Sequence, residues 1–294
     1  MLTHRCENPR DAARVVVLGA GFIGGAAADA LAAAGVAVER LRRTAVDLLA
    51  DGAGDRLADV LRDDDVLVVA AAEAPCKDGA ALERNIRMVN AVAGALRRRP
   101  VEHVIYISSD AVYKDSDGLL TEASCAEPGS LHGAMHLARE RMLLDDTGVP
   151  LGILRPTLVY GASDPHNGYG ANRFRRLALE GRDIVLFGEG EERRDHVLVD
   201  DLGDLLRRMV LHRSTGVLNG ATGTVHSFRE IAELVVGHVA NPPAIKGSPR
   251  SGPMPHNGYR AFDPAESYRA FPDFRYTPLA EGLALTHERA VAAA

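Results

Sequence analysis

Two histidines stand four residues apart in the stretch SLHGAMHLARE, which covers residues 130–140. A helix would place His132 and His136 on one face, because positions i and i+4 are neighbours on a helix surface. Imidazole can transfer protons near neutral pH, bind a metal ion or simply pack in a core. The chemistry of this pair therefore depends on the residues that the fold brings to the same face.

A glycine-rich turn is the second feature that could carry chemistry. The apolar run RVVVL leads directly into GAGFIGG, which has the pattern G-x-G-x-x-G. The first glycine permits a tight turn, the second lets the backbone approach a pyrophosphate, and the third allows close packing of helix on strand. The N-terminus of the next helix would then face the phosphates. The predicted dinucleotide contacts are Gly19, Gly21, Phe22, Ile23 and Gly24.

The end of the second predicted strand bears on the choice of cofactor. An acidic residue there accepts a hydrogen bond from the ribose 2′-hydroxyl of NAD, whereas an arginine pairs with the 2′-phosphate of NADP. The stretch VERLRRTAVDL places Arg42 and Arg43 at the strand end, with Glu39 just before them. The two arginines favour NADP over NAD, and Glu39 would favour NAD if the strand ended earlier.

Strand-like and helix-like runs alternate along the first half of the chain. Strands are predicted at 14–18, 36–41, 65–69, 103–108 and 151–155, and helices at 22–34, 54–62, 79–98 and 131–146. This alternation predicts an α/β fold with a doubly wound parallel (Rossmann) sheet. We expect residues 12–160 to form this domain and residues 196–225 to return to it. A smaller substrate lobe would contain 161–195 and 226–294, and the polar leader MLTHRCENPRDAA would fray.

The overall composition excludes several classes of protein. The 294 residues carry a net charge of −6, with 46% hydrophobic and 25% charged residues. A nucleic-acid surface would need clustered positive charge, and no apolar run is long enough to span a bilayer. Three cysteines without paired spacing predict neither a disulfide framework nor a zinc site. We therefore expect a cytoplasmic protein that acts on a small molecule.

Further stretches follow GAGFIGG in a fixed order. They are VDL with Asp47, VLVVAAA with Ala70 and Ala71, ERNIRMVNAV with Asn85, YISSDAVY, LRPTLVYG with Pro156, RRDHVLVDDLGD and TPLAEGLALTHER. Over nearly its whole length the chain resembles the extended short-chain dehydrogenase/reductase family of nucleotide-sugar epimerases, dehydratases and reductases. The resemblance implies that Asp47 contacts the adenine, that Ala70 and Ala71 pass the cofactor, and that Pro156 lies in the strand leading to the nicotinamide.

The resemblance also locates the catalytic dyad, and here the chain departs from the family. The family carries Tyr-x-x-x-Lys on this helix, where the tyrosine exchanges a proton with the substrate and the lysine binds the nicotinamide ribose. The tyrosine position falls on His132 and the lysine position on His136, while Gly133 and Glu140 match neighbouring family positions. Both members of the family's dyad are therefore replaced by imidazoles.

Four interpretations of the two histidines remain open at this point. His132 could replace the tyrosine as the acid–base group, because imidazole titrates near pH 6.5 without help from a lysine. The protein could instead bind dinucleotide as a sensor or scaffold, or use the site for a non-redox isomerisation or elimination. A metal site is the fourth, but a zinc ion needs a third ligand, and Glu140 is two turns from His132. We expect no metal.

Four further residues match the family's substrate side. Ser109 matches the serine or threonine that hydrogen-bonds the reacting oxygen, and Asp110 follows it. The family's dehydratases have Asp-Glu at this point, so Asp110-Ala111 argues against standard sugar dehydration. Asn172 and Arg194 match substrate-binding positions, and an arginine suits a diphosphate. Family members often dimerise through two helices, here 79–98 and 131–146, so the resemblance implies a homodimer.

Overall fold

Strands and helices alternate along the chain in the computed structural model, which describes residues 1–293. The strands are β1 (Thr3–His4), β2 (Arg14–Leu18), β3 (Val38–Leu41), β4 (Asp65–Val69), β5 (His103–Ile107), β6 (Leu151–Pro156), β7 (Leu158–Tyr160), β8 (Ile184–Phe187), β9 (Arg193–Leu198), β10 (Ser214–Gly220), β11 (Val225–Ser227), β12 (Ile245–Ser248) and β13 (Tyr259–Arg260). The helices are α1 (Phe22–Ala33), α2 (Ala53–Val60), α3 (Gly79–Arg98), α4 (Leu131–Asp146), α5 (Ala171–Leu179), α6 (Val199–Leu211), α7 (Phe228–Val236), α8 (Ala265–Ala270) and α9 (Leu279–Ala292).

The largest sheet contains seven strands in the order β1-β10-β6-β5-β4-β2-β3. All neighbouring pairs are parallel except β1 and β10. The strand order reverses at β2, which lies between β3 and β4, and this reversal opens a crevice at the carboxyl ends of the strands. The predicted α/β class with a doubly wound parallel sheet is confirmed.

Helices cover both faces of this sheet, which explains why its central strands are mostly apolar. In β2, Val15 and Val17 pack into one core cluster with α1 and α6, whereas Val16 and Leu18 pack into the other with α2 and α3. Alternate side chains of a strand point to opposite faces, so a strand covered on both sides is apolar at nearly every position. The strands therefore hold their carboxyl ends, where the site lies, in a fixed frame.

A second, smaller lobe forms around two short sheets. One contains β11, β9 and β13, with β7 also paired to β9, and the other contains β8 and β12. Its core holds Phe174 of α5, Phe228 and Ile231 of α7, and Leu283 of α9. β9 belongs to this lobe, whereas α6 and β10 return to the large sheet. None of the helices within residues 1–293 combines the length and apolar character that crossing a bilayer requires.

The N-terminal leader is ordered, so the prediction that it frays is wrong. Thr3 and His4 pair antiparallel with Thr215 and Ser214 at the open edge of β10, and Leu2 is buried. The sequence pattern could not show this, because a two-residue strand has no periodicity. The leader instead covers a sheet edge that would otherwise expose unpaired backbone groups.

Candidate active site

One cavity of about 740 Å³ opens at the carboxyl ends of the parallel strands, between the sheet and the smaller lobe. It brings together most of the residues that the sequence singled out. The predicted site residues in its wall are Gly19, Gly21, Phe22, Ile23, Gly24, Arg42, Arg43, Ala70, Ala71, Ser109, Asp110, His132, His136, Pro156, Asn172 and Arg194. Asp47 lies outside it and lines an adjoining hollow of about 460 Å³.

The glycine turn after β2 packs tightly at two glycines and leaves open space at the third, where a phosphate group could lie. Gly19 has φ +92°, and a Cβ there would lie 2.5 Å from the Ala71 nitrogen. A Cβ on Gly24 would lie 2.3 Å from the Gly19 carbonyl oxygen, whereas nothing lies within 4 Å of one on Gly21. The first turn of α1 has no side-chain cap, so its free N–H groups suit an anion. This cradle fits a dinucleotide pyrophosphate.

The hollow beside β3 is lined by Arg42, Arg43 and Asp47. Asp47 accepts from the Leu49 backbone N–H at 3.0 Å and from Arg43 Nε at 3.2 Å, and these bonds lower the pKa of its carboxyl. Arg42 has no hydrogen-bond acceptor anywhere in the described chain. Glu39 pairs with Arg14 at the opposite end of the strand, and its carboxylate is therefore turned away from the hollow.

Helix α4 is placed by its first turn. Ser130 caps it by accepting from the Gly133 N–H at 3.2 Å. A Cβ on Gly133 would lie only 2.0 Å from the Ala111 carbonyl oxygen, so glycine is needed for the helix to approach the turn after β5. This close contact holds His132, one residue earlier, in the same cavity wall as Ser109.

His132 is a largely buried imidazole without an acidic partner among residues 1–293. Its Nδ1 accepts a long hydrogen bond, 3.4 Å, from the Cys76 backbone N–H. A backbone N–H can only donate, so this contact favours the neutral ring with its proton on Nε2. Burial lowers the pKa of His132 below its ordinary value of about 6.5, and the nearby Asp110 raises it in part. The ring is therefore neutral at pH 7.

His136 is more deeply buried, at 5% exposure, and meets His132 edge to face with ring centres 4.8 Å apart. Its Nδ1 lies 2.7 Å from the Tyr106 hydroxyl. Tyr106 is buried with no other acceptor among residues 1–293, so its hydroxyl donates to Nδ1 and the His136 proton sits on Nε2. Burial, and then His132 and Arg139, hold the pKa of His136 well below its ordinary value.

Two charged side chains lie one turn further along α4. Arg139 is fully buried and donates to the Ala71 carbonyl at 2.6 Å and to Asn85 Oδ1 at 3.1 Å, with its guanidinium 5.2 Å from the Tyr106 ring centre. Glu140 accepts two hydrogen bonds from Arg155, at 2.9 and 2.6 Å. These bonds tie α4 to the cofactor side and to β6, and they fix the rotation that points both histidines at the cavity.

Ser109 and Asp110 follow β5 and begin a short 3-10 turn, Asp110–Val112. Ser109 Oγ accepts from the Ala111 N–H at 3.2 Å and remains in the cavity wall. Asp110 Oδ2 accepts from Arg260 Nε at 3.0 Å and lies 4.0 Å from Arg194 Nη2. Asp110 is therefore held as a paired carboxylate.

The two predicted substrate-side residues both line the cavity, but they have different hydrogen-bond partners. Arg194 has its guanidinium in the wall and pairs with Glu192 at 3.2 Å. Asn172 accepts from the Gly161 N–H at 3.1 Å and donates to the Val159 carbonyl at 3.1 Å. Its polar atoms thus hold the turn after β7, which positions the wall.

Five residues outside the predicted set belong to this site: Tyr106, Arg139, Asp115, His256 and Arg260. Tyr106 and Arg139 belong to a strand and a helix that were predicted, but only the fold shows that they meet His136. Asp115, His256 and Arg260 come from loops and a two-residue strand in segments without periodicity. No sequence signal joins positions that lie about 140 residues apart in this way.

No three His, Cys, Asp or Glu side chains within residues 1–293 are grouped to hold a metal ion. The site is instead a Rossmann-type crevice with a glycine cradle at its reversal point and two imidazoles beside a serine. The chain belongs to the NAD dependent epimerase/dehydratase family, whose model matches residues 15–221.

Curated relatives match parts of the chain. It is 31% identical over 139 residues to the dTDP-L-rhamnose 4-epimerase of Burkholderia thailandensis, and the match covers 44% of this chain and 38% of that protein. It is 31% identical over 162 residues to the UDP-glucose 4-epimerase of Mycolicibacterium smegmatis, and the match covers 51% of each protein. The matches thus span about half or less of the length of these two relatives.

A solved structure matches over almost the whole chain. The UDP-glucose 4-epimerase of Thermus thermophilus, in complex with NAD, superimposes with a TM-score of 0.80 at 25% identity. The match covers 96% of this chain and all of that one. The smaller lobe is therefore included in the likeness.

Proposed function

We propose that the protein is an NAD(P)-dependent enzyme that acts on a nucleotide sugar or a related polar metabolite, as an epimerase or ketoreductase. One observation carries the proposal: a single cavity holds the glycine cradle, Ser109 with His132, and Arg194. The relatives named above are sugar-nucleotide epimerases, and one of them was solved with NAD. A bound dinucleotide would supply hydride transfer.

His132 takes the role of the missing tyrosine in this proposal. Its Nε2–H can donate to a carbonyl oxygen of the substrate together with the Ser109 hydroxyl. The bond from Cys76 is long and so contributes less than about 1 kcal/mol, which leaves the other neutral tautomer accessible. In that tautomer Nε2 accepts the proton of a substrate hydroxyl. The imidazolium formed by this oxidation is the acid that returns the proton to the alkoxide in the reverse reduction. One imidazole can thus serve both directions without a neighbouring lysine.

His136 serves the cofactor in place of the lysine. Because Tyr106 fixes its tautomer, His136 presents Nε2–H as a donor at the cavity wall. A ribose hydroxyl is a suitable acceptor for this group. The positive charge of the family's lysine is not reproduced at position 136, because burial keeps the ring neutral. Arg139 places a buried positive charge one turn away.

NADP is the proposed cofactor in preference to NAD. Arg42 has no acceptor within residues 1–293 and lines both the cavity and the adjoining hollow, so it is free to pair with a 2′-phosphate. Glu39, the residue that would favour NAD, is already paired with Arg14. Charge-assisted pairs of this kind contribute about 1.5–3 kcal/mol, which corresponds to roughly 10- to 100-fold in affinity.

Calorimetric titration with NADP and NAD tests both parts of the proposal. We expect tighter binding of NADP, and we expect Arg42→Ala to remove that preference while leaving NAD binding within about twofold. Tighter NAD binding to the unaltered protein would overturn the cofactor preference. Absence of binding to either would overturn the proposed function itself.

A dinucleotide sensor or scaffold is the second candidate. It is favoured by one observation, that both imidazoles in the dyad positions are kept neutral by burial and neither reproduces the family's cationic group. The two candidates differ in turnover: a sensor binds the same ligands but does not interconvert or reduce them. Incubation with a nucleotide 4-keto sugar and NADPH distinguishes them by absorbance at the wavelength of the reduced cofactor.

The remaining proposals concern the oligomeric state and the cellular location of the protein. We propose a homodimer in which α3 and α4, neighbours on one face of the sheet, pack against the same helices of a second copy. Leu131 and Leu144 of α4 are exposed at 42% and 45%, which is consistent with a covered face. We also propose a cytoplasmic location, which suits the three free thiols of Cys6, Cys76 and Cys125.

A further inference from the structure

A further imidazole faces the same cavity from the C-terminal part of the chain. His256 lies in the 3-10 turn Pro255–Gly258 and shares the cavity wall with Ser109 and His132. Its Nδ1 lies 2.5 Å from Asp115 Oδ1, in the loop after β5. The two residues are 141 positions apart in sequence and form a histidine–carboxylate pair at the cavity wall.

The tautomer of His256 follows from this contact. A carboxylate can only accept a hydrogen bond, so the proton of the neutral ring sits on Nδ1 and the lone pair sits on Nε2. Arg260 Nη1 also lies 3.1 Å from Nδ1, but its acceptor is Asp115 Oδ1 at 2.7 Å. Nε2 has no hydrogen-bond partner among the described residues. It therefore offers an unoccupied proton acceptor to the cavity.

The pair is supported by a buried network. Arg260 is only 2% exposed and donates to Asp110 Oδ2 at 3.0 Å and to the Asp110 carbonyl at 2.6 Å. His256 has left-handed backbone angles (φ 51°, ψ 37°), and Asn257 has them as well (φ 53°, ψ 22°). Residues other than glycine adopt these angles rarely, although histidine and asparagine do so more often than most. The contacts with Asp115 and Arg260 hold the ring in this position.

The charged groups around His256 keep it available as a base. Asp115 and Arg260 contact it directly, Arg194 of β9 acts on it from across the cavity wall, and Asp110 lies behind Arg260. Burial and the Arg194 charge lower the pKa of His256, and Asp115 raises it in part. The ring is neutral at pH 7, and once protonated it is stabilised by the adjacent Asp115 carboxylate.

His256 and His132 therefore have opposite polarity in one cavity, because His132 presents Nε2–H and His256 presents a bare Nε2. Proton abstraction next to a carbonyl group needs this combination: a donor on the oxygen and a base at the neighbouring carbon. We propose that His256, oriented by Asp115, removes the proton from the carbon next to the carbonyl of a keto sugar. The proposal rests on the proposed function for its substrate class.

The step balances without an oxidant or reductant. The C–H bond breaks, its proton moves to His256 Nε2, and its electron pair forms the carbon–carbon double bond of an enolate. The enolate oxygen accepts hydrogen bonds from His132 Nε2–H and the Ser109 hydroxyl. His256 returns a proton to the same face and regenerates the substrate, so repeated cycles exchange this hydrogen with solvent. Inversion of the carbon needs a proton donor on the opposite face, which a solvent water molecule would supply. The activity is hydrogen exchange and isomerisation beside the ketone, additional to chemistry at the carbonyl carbon.

Exchange with heavy water tests the proposal directly. The full chain is incubated in D₂O with dTDP-4-keto-6-deoxyglucose, and deuterium beside the carbonyl is followed by proton NMR and by the mass increase. We expect exchange by the unaltered protein and a loss of about 100-fold or more in His256→Phe, which keeps an aromatic ring but has no base. Asp115→Asn should slow exchange by about tenfold or more, since an amide can donate to Nδ1 and stabilise the wrong tautomer.

A matched control variant and a calorimetric measurement of keto sugar nucleotide binding complete the exchange experiment. His238 stacks on His287 outside this cavity, so His238→Phe should exchange at the rate of the unaltered protein. Binding of the keto sugar nucleotide without exchange overturns this proposal and leaves the proposed function standing. Failure to bind it, together with failure to bind either dinucleotide, overturns both. If His256→Phe does not fold, His256→Gln serves instead, and exchange unchanged in a folded variant also overturns the role of His256.

Discussion

Replacement of His132 gives the sharpest test of the proposed acid–base chemistry. His132→Ala removes the imidazole that donates beside Ser109, and positioned acid–base groups contribute about 10²- to 10⁴-fold to rate. We therefore expect turnover to fall by that factor, which equals about 3–5 kcal/mol of transition-state stabilisation. The folded state should lose little, because within residues 1–293 the imidazole has a single long hydrogen bond and no ion pair.

A second variant separates proton transfer from hydrogen bonding. His132→Gln keeps an N–H donor at the substrate oxygen but cannot accept or release a proton near neutral pH. If His132 only polarises the carbonyl, the glutamine variant should retain most of the activity that alanine loses. If His132 transfers the proton, both variants should be similarly slow. His226, outside the cavity, provides the control substitution His226→Ala.

The pH dependence expected of the proposed reaction follows from the direction of the pKa shift of His132. Burial lowers the pKa of His132, so the neutral, proton-accepting ring persists to pH values below about 6.5 and is lost only as pH falls through the lowered value. Oxidation of the substrate should therefore be independent of pH from neutral upward and decline in acid. The assay is initial rate against pH with a saturating substrate. Unchanged turnover in His132→Ala, or a rate that rises through the range of a free tyrosine, would refute the role of His132.

Four further outcomes are expected. Gly133→Ala should destabilise the fold by about 1–3 kcal/mol and slow turnover, because the new Cβ would lie 2.0 Å from the Ala111 carbonyl oxygen. Thermal melting measures the loss. Gly94→Ala in α3 is the control, because the nearest atom to its new Cβ is 3.8 Å away. Tyr106→Phe should cost about 1–3 kcal/mol in chemical denaturation and weaken dinucleotide binding, because it leaves His136 Nδ1 buried without a donor; an equally stable variant would contradict the assigned tautomer. The free energy of unfolding should fall as pH drops below about 6.5. Burial lowers the pKa of His103 to about 4 and of His196 to about 3, so the unfolded chain binds more protons than the folded one. At pH 5 each histidine contributes a loss on the order of 2 kcal/mol, which urea titration can measure. Sedimentation should show a dimer at micromolar concentration, and a monomer would remove that proposal.

The parts of the fold that could be predicted are those whose signal is local. The strand at 65–69 and the helix at 79–98 were predicted at their observed bounds, because an unbroken apolar run follows Asp65 and the helix begins after a capping aspartate, Asp78. The strand predicted at 36–41 begins at Val38, since only residues from there pair with β2. Helix α7 lies outside the predicted helices, although its first turn carries a local signal, the capping box of Ser227 and Glu230.

The candidate site was predicted unevenly for the same reason. Residues within one motif, such as Gly19 or Ser109, could be placed because a strand and the turn after it are contiguous. The partners that set protonation could not, because Tyr106 meets His136 and Asp115 meets His256 only through tertiary packing. The sequence therefore located the imidazoles of the dyad but not their tautomers, which decide which nitrogen can donate.

The edge strand β1 has a consequence for how the chain is made. Its partner Thr215 lies 212 residues further along, so the pairing cannot form until β10 has left the ribosome. Strands β2 to β6 can assemble earlier, because their contacts lie within the first 156 residues. The leader must then wait while β10 is synthesised. The Leu2 nitrogen donates to Glu266 of α8 at 2.6 Å, so the leader also joins the C-terminal segment that follows His256. Residues translated before every other strand of the sheet are thus among the last to settle, and their docking joins β10 to α8.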